Sequence, residues 1–261
     1  MIAGRTQRGL ALVSVLWGVA ILSVIAAAMV TASLSTAYVG RNVWNATRGA
    51  TLDEAAINRT ILALMDQRPA SQLAIDGTSR LLRFDGEQVR VWVQDESGRI
   101  NINFADRDTL QSLFASAGTD RDAAGALADR LVARRNQDPA SPVVKIPFRT
   151  TDELLAVPGM SPALYARILP LITVFGHNGT VNTQAAPRAV LLALPGATEN
   201  SVADILRDRA LPSSTRASAN TADGIYAITA EARVDGARTI RVAVVQFTGD
   251  PAKPYWFVFW Q

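Results

Sequence analysis

The chain contains no cysteine and one histidine, and these two absences limit the chemistry that it can perform. Without cysteine it has no disulfide, no thiolate nucleophile and no zinc–thiolate site. The histidine, His177, lies in a His-Asn-Gly sequence typical of a turn, and no second histidine is available to share a metal ion. No serine has a candidate base close to it in the sequence. The sequence therefore predicts no catalytic residue and no enzyme.

Positive charge is present in only slight excess. There are 26 lysines and arginines against 23 aspartates and glutamates, which gives a formal net charge of +3. Lysine occurs only at Lys145 and Lys253, and the arginines are dispersed along the chain. Since proteins that bind nucleic acid neutralise phosphates with grouped basic residues, this distribution does not indicate such a protein.

Charge is missing altogether from one long stretch, because no charged residue occurs between Arg8 and Arg41. The stretch is apolar from Leu10 to Val39, and about 20 apolar residues suffice to cross a hydrocarbon core of roughly 30 Å. It is too long for a secretory signal and lacks a convincing cleavage site at its far end. We therefore expect one transmembrane helix over residues 10–32. The arginines on its two sides balance, so charge leaves the orientation open.

The helix is predicted to continue well beyond the membrane. No proline occurs from Arg41 up to Pro69, and apolar residues such as Ile57 and Ile61 recur at helical spacing. Pro69 should end the helix, because proline disfavours a helical conformation in the residue before it. A helix over 10–67 would be about 85 Å long. The part outside the membrane needs a surface to lie on, which favours a sheet packed against its C-terminal half.

Strand patterns occur on both sides of the middle of the chain. Apolar residues alternate over 81–93 around Asp85-Gly86 and over 225–247 around Asp235-Gly236, and both dipeptides are strong hairpin signals. An aromatic run at 255–260 predicts a last strand. Strands, then helices, then strands again favour one antiparallel sheet with a helical insertion over two consecutive domains. The predicted fold class is α+β.

The region between the strands, residues 101–209, is helical in pattern and internally repeated. Leu-Leu-Ala-Val-Pro-Gly at 154–159 returns as Leu-Leu-Ala-Leu-Pro-Gly at 191–196, an offset of 37 residues. Each copy predicts a helix, a Pro-Gly turn and a second helix, with the turns at Pro158-Gly159 and Pro195-Gly196.

A weaker copy of this unit begins at Asn103 and ends at Arg135, and a proline-rich linker over 136–147 follows it. Apolar residues of the next unit should build the core of the insertion, where a buried leucine changed to alanine costs about 2–5 kcal/mol. The predicted core residues are Leu154, Leu155, Val157, Ile168 and Leu169.

Such units resemble the helix-hairpin-helix of DNA-binding proteins, whose two turn glycines present backbone amides to a phosphate. Here Ser161 and Thr198 stand in place of the second glycine, and no lysine or arginine is positioned beside either. The alternative function, a membrane-anchored DNA receptor of the competence type, therefore lacks its phosphate-binding residues. We expect no nucleic-acid partner.

Four carboxylates near the start of the helical region could bind a hard cation such as calcium through oxygen ligands. They are Asp95, Glu96, Asp106 and Asp108. Their positions lack the spacing of an EF-hand, and helix-capping or turn roles are favoured for each. The sequence thus assigns no cofactor and leaves the metal question open.

The junction Arg8-Gly9-Leu10 resembles a type IV prepilin leader, which a membrane peptidase cuts after the glycine on the cytoplasmic side. A glycine before the scissile bond lets the backbone enter a tight active site. The resemblance implies a mature, N-methylated terminus at Leu10 and a C-terminal part in the periplasm. Pilin-like subunits usually carry a glutamate at the fifth mature position, which pairs with a neighbour's terminal amine. Ser14 stands there instead, which predicts a subunit that begins or caps the filament.

The whole chain resembles the type II secretion minor pseudopilin K family. The further motifs that carry the resemblance are Ser97–Asn103, Pro147–Gly159, Val181-Asn182 and Ala230–Arg238. The resemblance implies a pilin-like fold, in which a long N-terminal helix packs on an antiparallel sheet and a large helical domain is inserted in the sheet. It also implies a place at the tip of the periplasmic pseudopilus, anchored in the bacterial inner membrane, in complex with minor pseudopilins I and J.

The same resemblance implies further partners, namely other pseudopilins, the prepilin peptidase and the inner-membrane secretion platform, and it admits calcium as a ligand. The expected domains follow the chain in order. Residues 1–9 form the leader, 10–67 the N-terminal helix, 68–100 the first part of the pilin-like β domain, 101–212 the helical insertion, and 213–261 the second part of the β domain.

Overall fold

The computed structural model describes residues 7–66, 73–84, 86–136, 148–210 and 223–261. It has the predicted α+β fold, with a long helix, an antiparallel sheet and a helical region. The helices are α1 (Gln7–Met65), α2 (Arg107–Ser116), α3 (Arg121–Arg135), α4 (Pro162–Ile168), α5 (Arg188–Leu192) and α6 (Glu199–Ala210). The strands are β1 (Asp76–Phe84), β2 (Glu87–Asp95), β3 (Ile100–Asn101), β4 (Ile172–Thr173), β5 (Ile225–Val234), β6 (Ala237–Phe247) and β7 (Tyr255–Trp260).

The main sheet has five antiparallel strands in the order β1-β2-β5-β6-β7. Both predicted hairpins are present, because Phe84 pairs with Glu87 and Val234 pairs with Ala237 across two-residue turns. In the second turn both residues have positive φ, 45° at Asp235 and 85° at Gly236. Such a turn matches the right-handed twist of the two strands, which is why Asp-Gly is favoured there.

The helical region is an insertion in this sheet. β2 pairs directly with β5, although residues 96–224 separate them in the chain. The insertion contains α2 to α6 and a two-stranded parallel pair, in which Ile100 pairs with Ile172. Residues 137–147 of the predicted linker over 136–147 lie outside the described residues, as do the predicted boundaries at 67–68 and 212–213.

α1 packs on the sheet with its C-terminal part alone. At 59 residues it is about 90 Å long. Ile57 and Ile61 are fully buried against apolar side chains of the sheet such as Val91 and Ile228. The described side chains before Asn45 are exposed. Pro69, which the sequence predicts to end the helix, lies outside the described residues.

The insertion has a hydrophobic core separate from that of the sheet, and two of its predicted members are wrong. Leu154, Val157 and Ile168 are buried, but Leu155 is 44% exposed and Leu169 is 41% exposed. Residues Thr151–Ala156 form a 3-10 helix rather than an α-helix. Side chains three positions apart share a face in a 3-10 helix, so Leu154 and Val157 point inward together while Leu155 points to solvent.

Candidate functional site

The first half of α1 is the candidate membrane anchor. The segment Leu12–Thr31 has a mean hydropathy of 2.4, and none of it is buried inside the protein. Its hydroxyls bond back to the helix, since Ser23 Oγ donates to the Val19 carbonyl at 2.8 Å and Thr31 Oγ1 to the Ala28 carbonyl at 2.9 Å. Polar groups in lipid need such internal partners. The helix is long and apolar enough to cross a membrane.

The prepilin-like junction lies at the start of this helix. α1 begins at Gln7, so the backbone of Gly9 and Leu10 is helical. The described side chains begin at Leu12, and Ser14 is exposed on the helix surface. Cleavage after Gly9, methylation of Leu10 and the role of Ser14 stay predictions.

Between the anchor and the sheet, the side chains of α1 from residue 38 to residue 44 are exposed. The helix rises about 27 Å from Thr31 to Gly49. Tyr38 and Trp44 on this segment are 57% and 69% exposed, and the Arg41 guanidinium lies 5.7 Å from the Tyr38 ring centroid. The sheet is thus held well above the anchor, with apolar helix surface open below it.

A buried carboxylate lies where α1 meets the sheet. Asp53 is fully buried, and neither of its oxygens has a hydrogen-bond partner of good geometry among the described residues. Burial raises the pKa of Asp53 to about 6, although the nearby Thr239 hydroxyl, Ala232 backbone and Arg241 charge each lower it. The protonation state of Asp53 therefore affects how firmly the helix packs on the sheet.

The hairpin of β5 and β6 is tied by one carboxylate on its other face. Glu231 Oε1 accepts hydrogen bonds from Arg233 Nε and Arg238 Nε, both at 3.0 Å, and Arg238 Nη2 donates to Oε2 at 3.1 Å. These bonds lower the pKa of Glu231 to about 2. Glu231, Arg233 and Arg238 of the Ala230–Arg238 motif therefore have a structural role, because they bond to one another across the hairpin.

The insertion leaves the sheet through the Ser97–Asn103 motif, which buried amide side chains fasten. Asn101 Nδ2 donates to the Phe175 carbonyl at 2.8 Å. Asn103 Nδ2 donates to the Phe148 carbonyl at 2.9 Å, and Asn103 Oδ1 accepts from the Phe148 amide at 3.1 Å. Since buried amides must be paired, these bonds fix three segments that are distant in sequence.

Residues 182–185, later in the insertion, lie close to the start of the Ser97–Asn103 motif. The Asn182 amide donates to the Ser97 carbonyl at 2.8 Å, and Gln94 Nε2 donates to the Ala185 carbonyl at 3.2 Å. A Cβ on Gly98 would stand 2.6 Å from the carbonyl carbon and oxygen of Ala185. Glycine is required there because only its missing side chain allows so close a backbone approach.

Two of the four candidate calcium ligands cap helices. Asp95 Oδ1 accepts from the Ser97 amide at 2.8 Å at the start of a 3-10 turn, and Asp106 Oδ1 accepts from the Thr109 amide at 2.6 Å at the start of α2. Burial raises the pKa of Asp95, whereas the hydrogen bonds from Thr109 lower the pKa of Asp106.

The other two carboxylates face arginines. Glu96 is buried and Glu96 Oε1 accepts from Arg99 Nη1 at 3.1 Å, while burial raises the pKa of Glu96. Asp108 is exposed, with Arg107 Nη1 at 3.7 Å. Within the described ranges, no three histidine or acidic side chains form a group that could hold a metal ion.

A cleft of about 740 Å³ opens between the insertion and the sheet. Asp95, Glu96, Asn101, His177, Asp223 and Tyr226 are among its lining residues. His177 lies on the surface, as its turn sequence predicts, and its ring meets the Phe104 ring edge-on at 6.0 Å.

Both predicted Pro-Gly turns have glycine in the left-handed region, with φ of 95° at Gly159 and 71° at Gly196. In the first turn, Arg130 Nη1 from α3 donates to the Pro158 carbonyl at 2.9 Å. A Cβ on Gly159 would stand 2.6 Å from the same nitrogen. The Arg130 guanidinium beside this turn is therefore hydrogen-bonded to the chain itself.

The residues that replace the second glycine of a DNA-binding hairpin cap the following helices. Ser161 Oγ accepts from the Leu164 amide at 3.1 Å at the start of α4, and Thr198 Oγ1 accepts from the Ser201 amide at 3.1 Å beside α6. Sequence reasoning missed this role. The signal was present, because serine and threonine are preferred at that position.

No protein-family model matches the chain. In sequence it is 27% identical over 242 residues to type II secretion system protein K of Pseudomonas aeruginosa, an alignment that covers 76% of this chain and 72% of that protein. In fold it matches a chain in the crystal structure of the GspK-GspI-GspJ complex of the enterotoxigenic Escherichia coli type 2 secretion system. That match has a TM-score of 0.52 and 13% identity, and covers 88% of this chain and 98% of the other. The chain is a relative of type II secretion system protein K.

These comparisons confirm the resemblance of the chain to protein K, while the prepilin-like junction stays a prediction. Two of the motifs that carry the resemblance, Ser97–Asn103 and Val181-Asn182, meet in the structure at the base of the insertion. The likeness in fold to a chain of that complex covers most of both chains.

Proposed function

We propose that this chain is a minor pseudopilin of a type II secretion system, a structural subunit rather than an enzyme. The observation that carries the proposal is the place of the helical insertion. It lies between two neighbouring strands, β2 and β5, of a sheet packed on a helix that is long enough to cross a membrane. The match to the structure of the GspK-GspI-GspJ complex, which covers 88% of this chain, supports the proposal.

In this proposal the anchor crosses the bacterial inner membrane once, and the sheet and insertion stand in the periplasm. The leader, residues 1–9, faces the cytoplasm, where the prepilin peptidase cuts after Gly9. Leu10 then becomes the methylated N terminus. The support is the apolar segment Leu12–Thr31, which follows closely on Arg8-Gly9.

The partners are minor pseudopilins I and J, with the other pseudopilins and the inner-membrane platform as further contacts. The solved structure that the chain resembles contains three subunits, named GspK, GspI and GspJ. The exposed segment of α1 around Tyr38 and Trp44 offers apolar surface above the membrane on which neighbouring subunits can pack.

The subunit begins or caps the pseudopilus. Ser14 stands where pilin-like subunits carry a glutamate, and a charged group at the bilayer centre costs about 2.5–3.5 kcal/mol on insertion scales. A subunit that docks on no predecessor has no reason to bear that cost. In purified tip complexes, a tag on this chain should appear once, at one end; a tag repeated along the shaft would contradict the proposal.

Export tests the function as a whole. Deleting the gene should leave the exported proteins of the type II system in the periplasm, and the full chain should restore their release. Normal export without this chain would refute the proposal. The full chain in detergent should not retain duplex DNA at physiological salt, and salt-sensitive retention at micromolar protein would instead support the DNA-receptor alternative.

A further inference from the structure

β7 is an outer strand of the sheet and carries an unusual amount of exposed apolar surface. It pairs with β6 and has no second neighbour among the described strands. From Pro254 to Gln261 the sequence has no charged residue. Five of its side chains are 37–57% exposed, namely Trp256, Phe257, Val258, Phe259 and Trp260. An outer strand presents unpaired backbone N–H and C=O groups, and an apolar one invites pairing with another strand.

The opposite outer strand, β1, carries charges that β7 lacks. They are Asp76, Arg80 and Arg83. Pairing is irregular on both outer strands, between Asp76 and Ser79 on β1 and at Val258 on β7. Charged side chains are a usual means by which a sheet edge is kept from adding strands. The two edges of this sheet therefore differ in their capacity to pair.

An aromatic row connects the core of the protein to the β7 edge. Ring centroids follow one another at 5.6, 6.3, 5.7 and 5.0 Å. The rings belong to Tyr226, Phe247, Tyr255, Phe257 and Trp260, of which the first two are buried and the last two are exposed. Trp256 and Phe259 pair with Gln246 and Val244 on the opposite face of the sheet. Exposed apolar side chains thus lie along the outer strand on both faces of the sheet.

We propose that β7 receives an extended, uncharged segment of a different pseudopilus subunit, which adds to the sheet as a sixth strand. The inference rests on the proposed function, which supplies such subunits. An extended backbone is required because the unpaired N–H and C=O groups of the edge need hydrogen-bond partners. Uncharged side chains are required because both faces beside β7 are aromatic.

A second copy of this chain is not the segment that β7 receives. The proposed function places one copy of this chain at one end of the pseudopilus, so no second copy lies beside it. The partner is therefore a different chain, and the proposed function supplies such chains in minor pseudopilins I and J.

Val258→Lys tests the edge directly. Val258 falls at the register shift between Phe257 and Phe259, has no partner on β6 and is 43% exposed, so lysine there removes nothing from the core. Leu81→Lys is the matched control, since Leu81 is 59% exposed on the other outer strand. Each full-length variant is co-expressed with minor pseudopilins I and J, extracted from membranes in mild detergent and recovered by a tag on this chain.

We expect Val258→Lys to retain at least tenfold less of one partner and Leu81→Lys to retain the wild-type amount. Unchanged retention by Val258→Lys overturns strand addition while leaving the proposed function intact. A wild-type chain that retains neither partner overturns the proposed function and strand addition with it.

Hydrogen exchange of the wild-type chain gives a reading that needs no variant. Amides of residues 255–261 should exchange at least tenfold more slowly in the complex than in the free chain, whereas those of β1 should not change. Equal exchange at β7 in both states overturns the proposal.

Because the chain has no cysteine, Val258→Cys provides a single thiol. A disulfide-linked dimer of this variant, formed in membranes that contain both partners, would overturn the proposal in favour of a second copy.

Discussion

Gly49 of α1 lies directly against Thr239 of β6, so that a Cβ on Gly49 would stand 2.6 Å from Thr239 Oγ1. The missing side chain lets the helix backbone approach the sheet. Gly49→Val should therefore lower the free energy of unfolding by about 1–3 kcal/mol, the usual cost of overpacking. Denaturant unfolding of the full chain in detergent measures this. Gly40→Ala, with open space around the added carbon, should not lower the midpoint, because alanine favours the helix more than glycine does. An unchanged midpoint for Gly49→Val would contradict the contact.

The buried carboxylate of Asp53 should make the packing of α1 depend on pH. Its pKa is raised from the ordinary value of 3.8 to about 6 in the folded protein. Between these two values the folded state holds a proton that the unfolded state has lost, so this group's contribution favours folding at low pH and declines as pH rises from about 4 to 6.

Asp53→Asn removes that dependence. Above pH 6 the variant should be more stable than wild type by about 1–3 kcal/mol, because no charge is then buried without a partner. Below pH 4 the difference should shrink. Thermal unfolding of both chains across this range measures it, with Glu54→Gln, an exposed neighbour, as the control. A stability difference that does not vary with pH would disprove the assignment.

Adjacent leucines in the insertion should differ sharply in their contribution to stability. Leu154 is fully buried and Leu155 is 44% exposed. Leu154→Ala should cost about 2–5 kcal/mol, whereas Leu155→Ala should cost less than about 1 kcal/mol. Denaturant midpoints of the two variants compare them directly. Equal losses would mean that residues 151–156 do not form the 3-10 helix described above.

The base of the insertion should tolerate no side chain at Gly98. A Cβ there would meet the backbone of Ala185, which cannot move aside by rotating a bond. Gly98→Ala should destabilise by about 1–3 kcal/mol and expose the base to protease. Gly125→Ala on α3 is the control, because the nearest atoms there are the ends of the flexible Gln111 and Arg107 side chains. Equal protease resistance of the two variants would argue against this contact.

The sheet was largely predictable because its signals are local. Asp85-Gly86 and Asp235-Gly236 mark the two hairpins, and the order of strands, helices and strands indicates the insertion. The pilin-like fold class followed from these signals together with the resemblance to protein K.

Other features could not be read from local pattern. The hydrogen bonds of Asn103 reach Phe148, 45 residues away, and no sequence pattern in either segment indicates that the two are paired. Asp53 sits beside exposed Glu54 in the helix, and its burial depends on how the helix lies on β6. The exposure of Leu155 follows from a 3-10 helix, whose period differs from the α-helical spacing assumed in the sequence prediction.

The mass of the N-terminal peptide tests the central claim, that this chain is a processed pseudopilin and not an ordinary membrane anchor. The full chain is extracted from membranes of the native cell and digested, and its N-terminal peptide is measured. We predict a start at Leu10 with one added methyl group, and retention of residues 1–9 when Gly9→Leu blocks cleavage. A wild-type chain that keeps residues 1–9, or a Gly9→Leu chain cut normally before Leu10, would contradict the account.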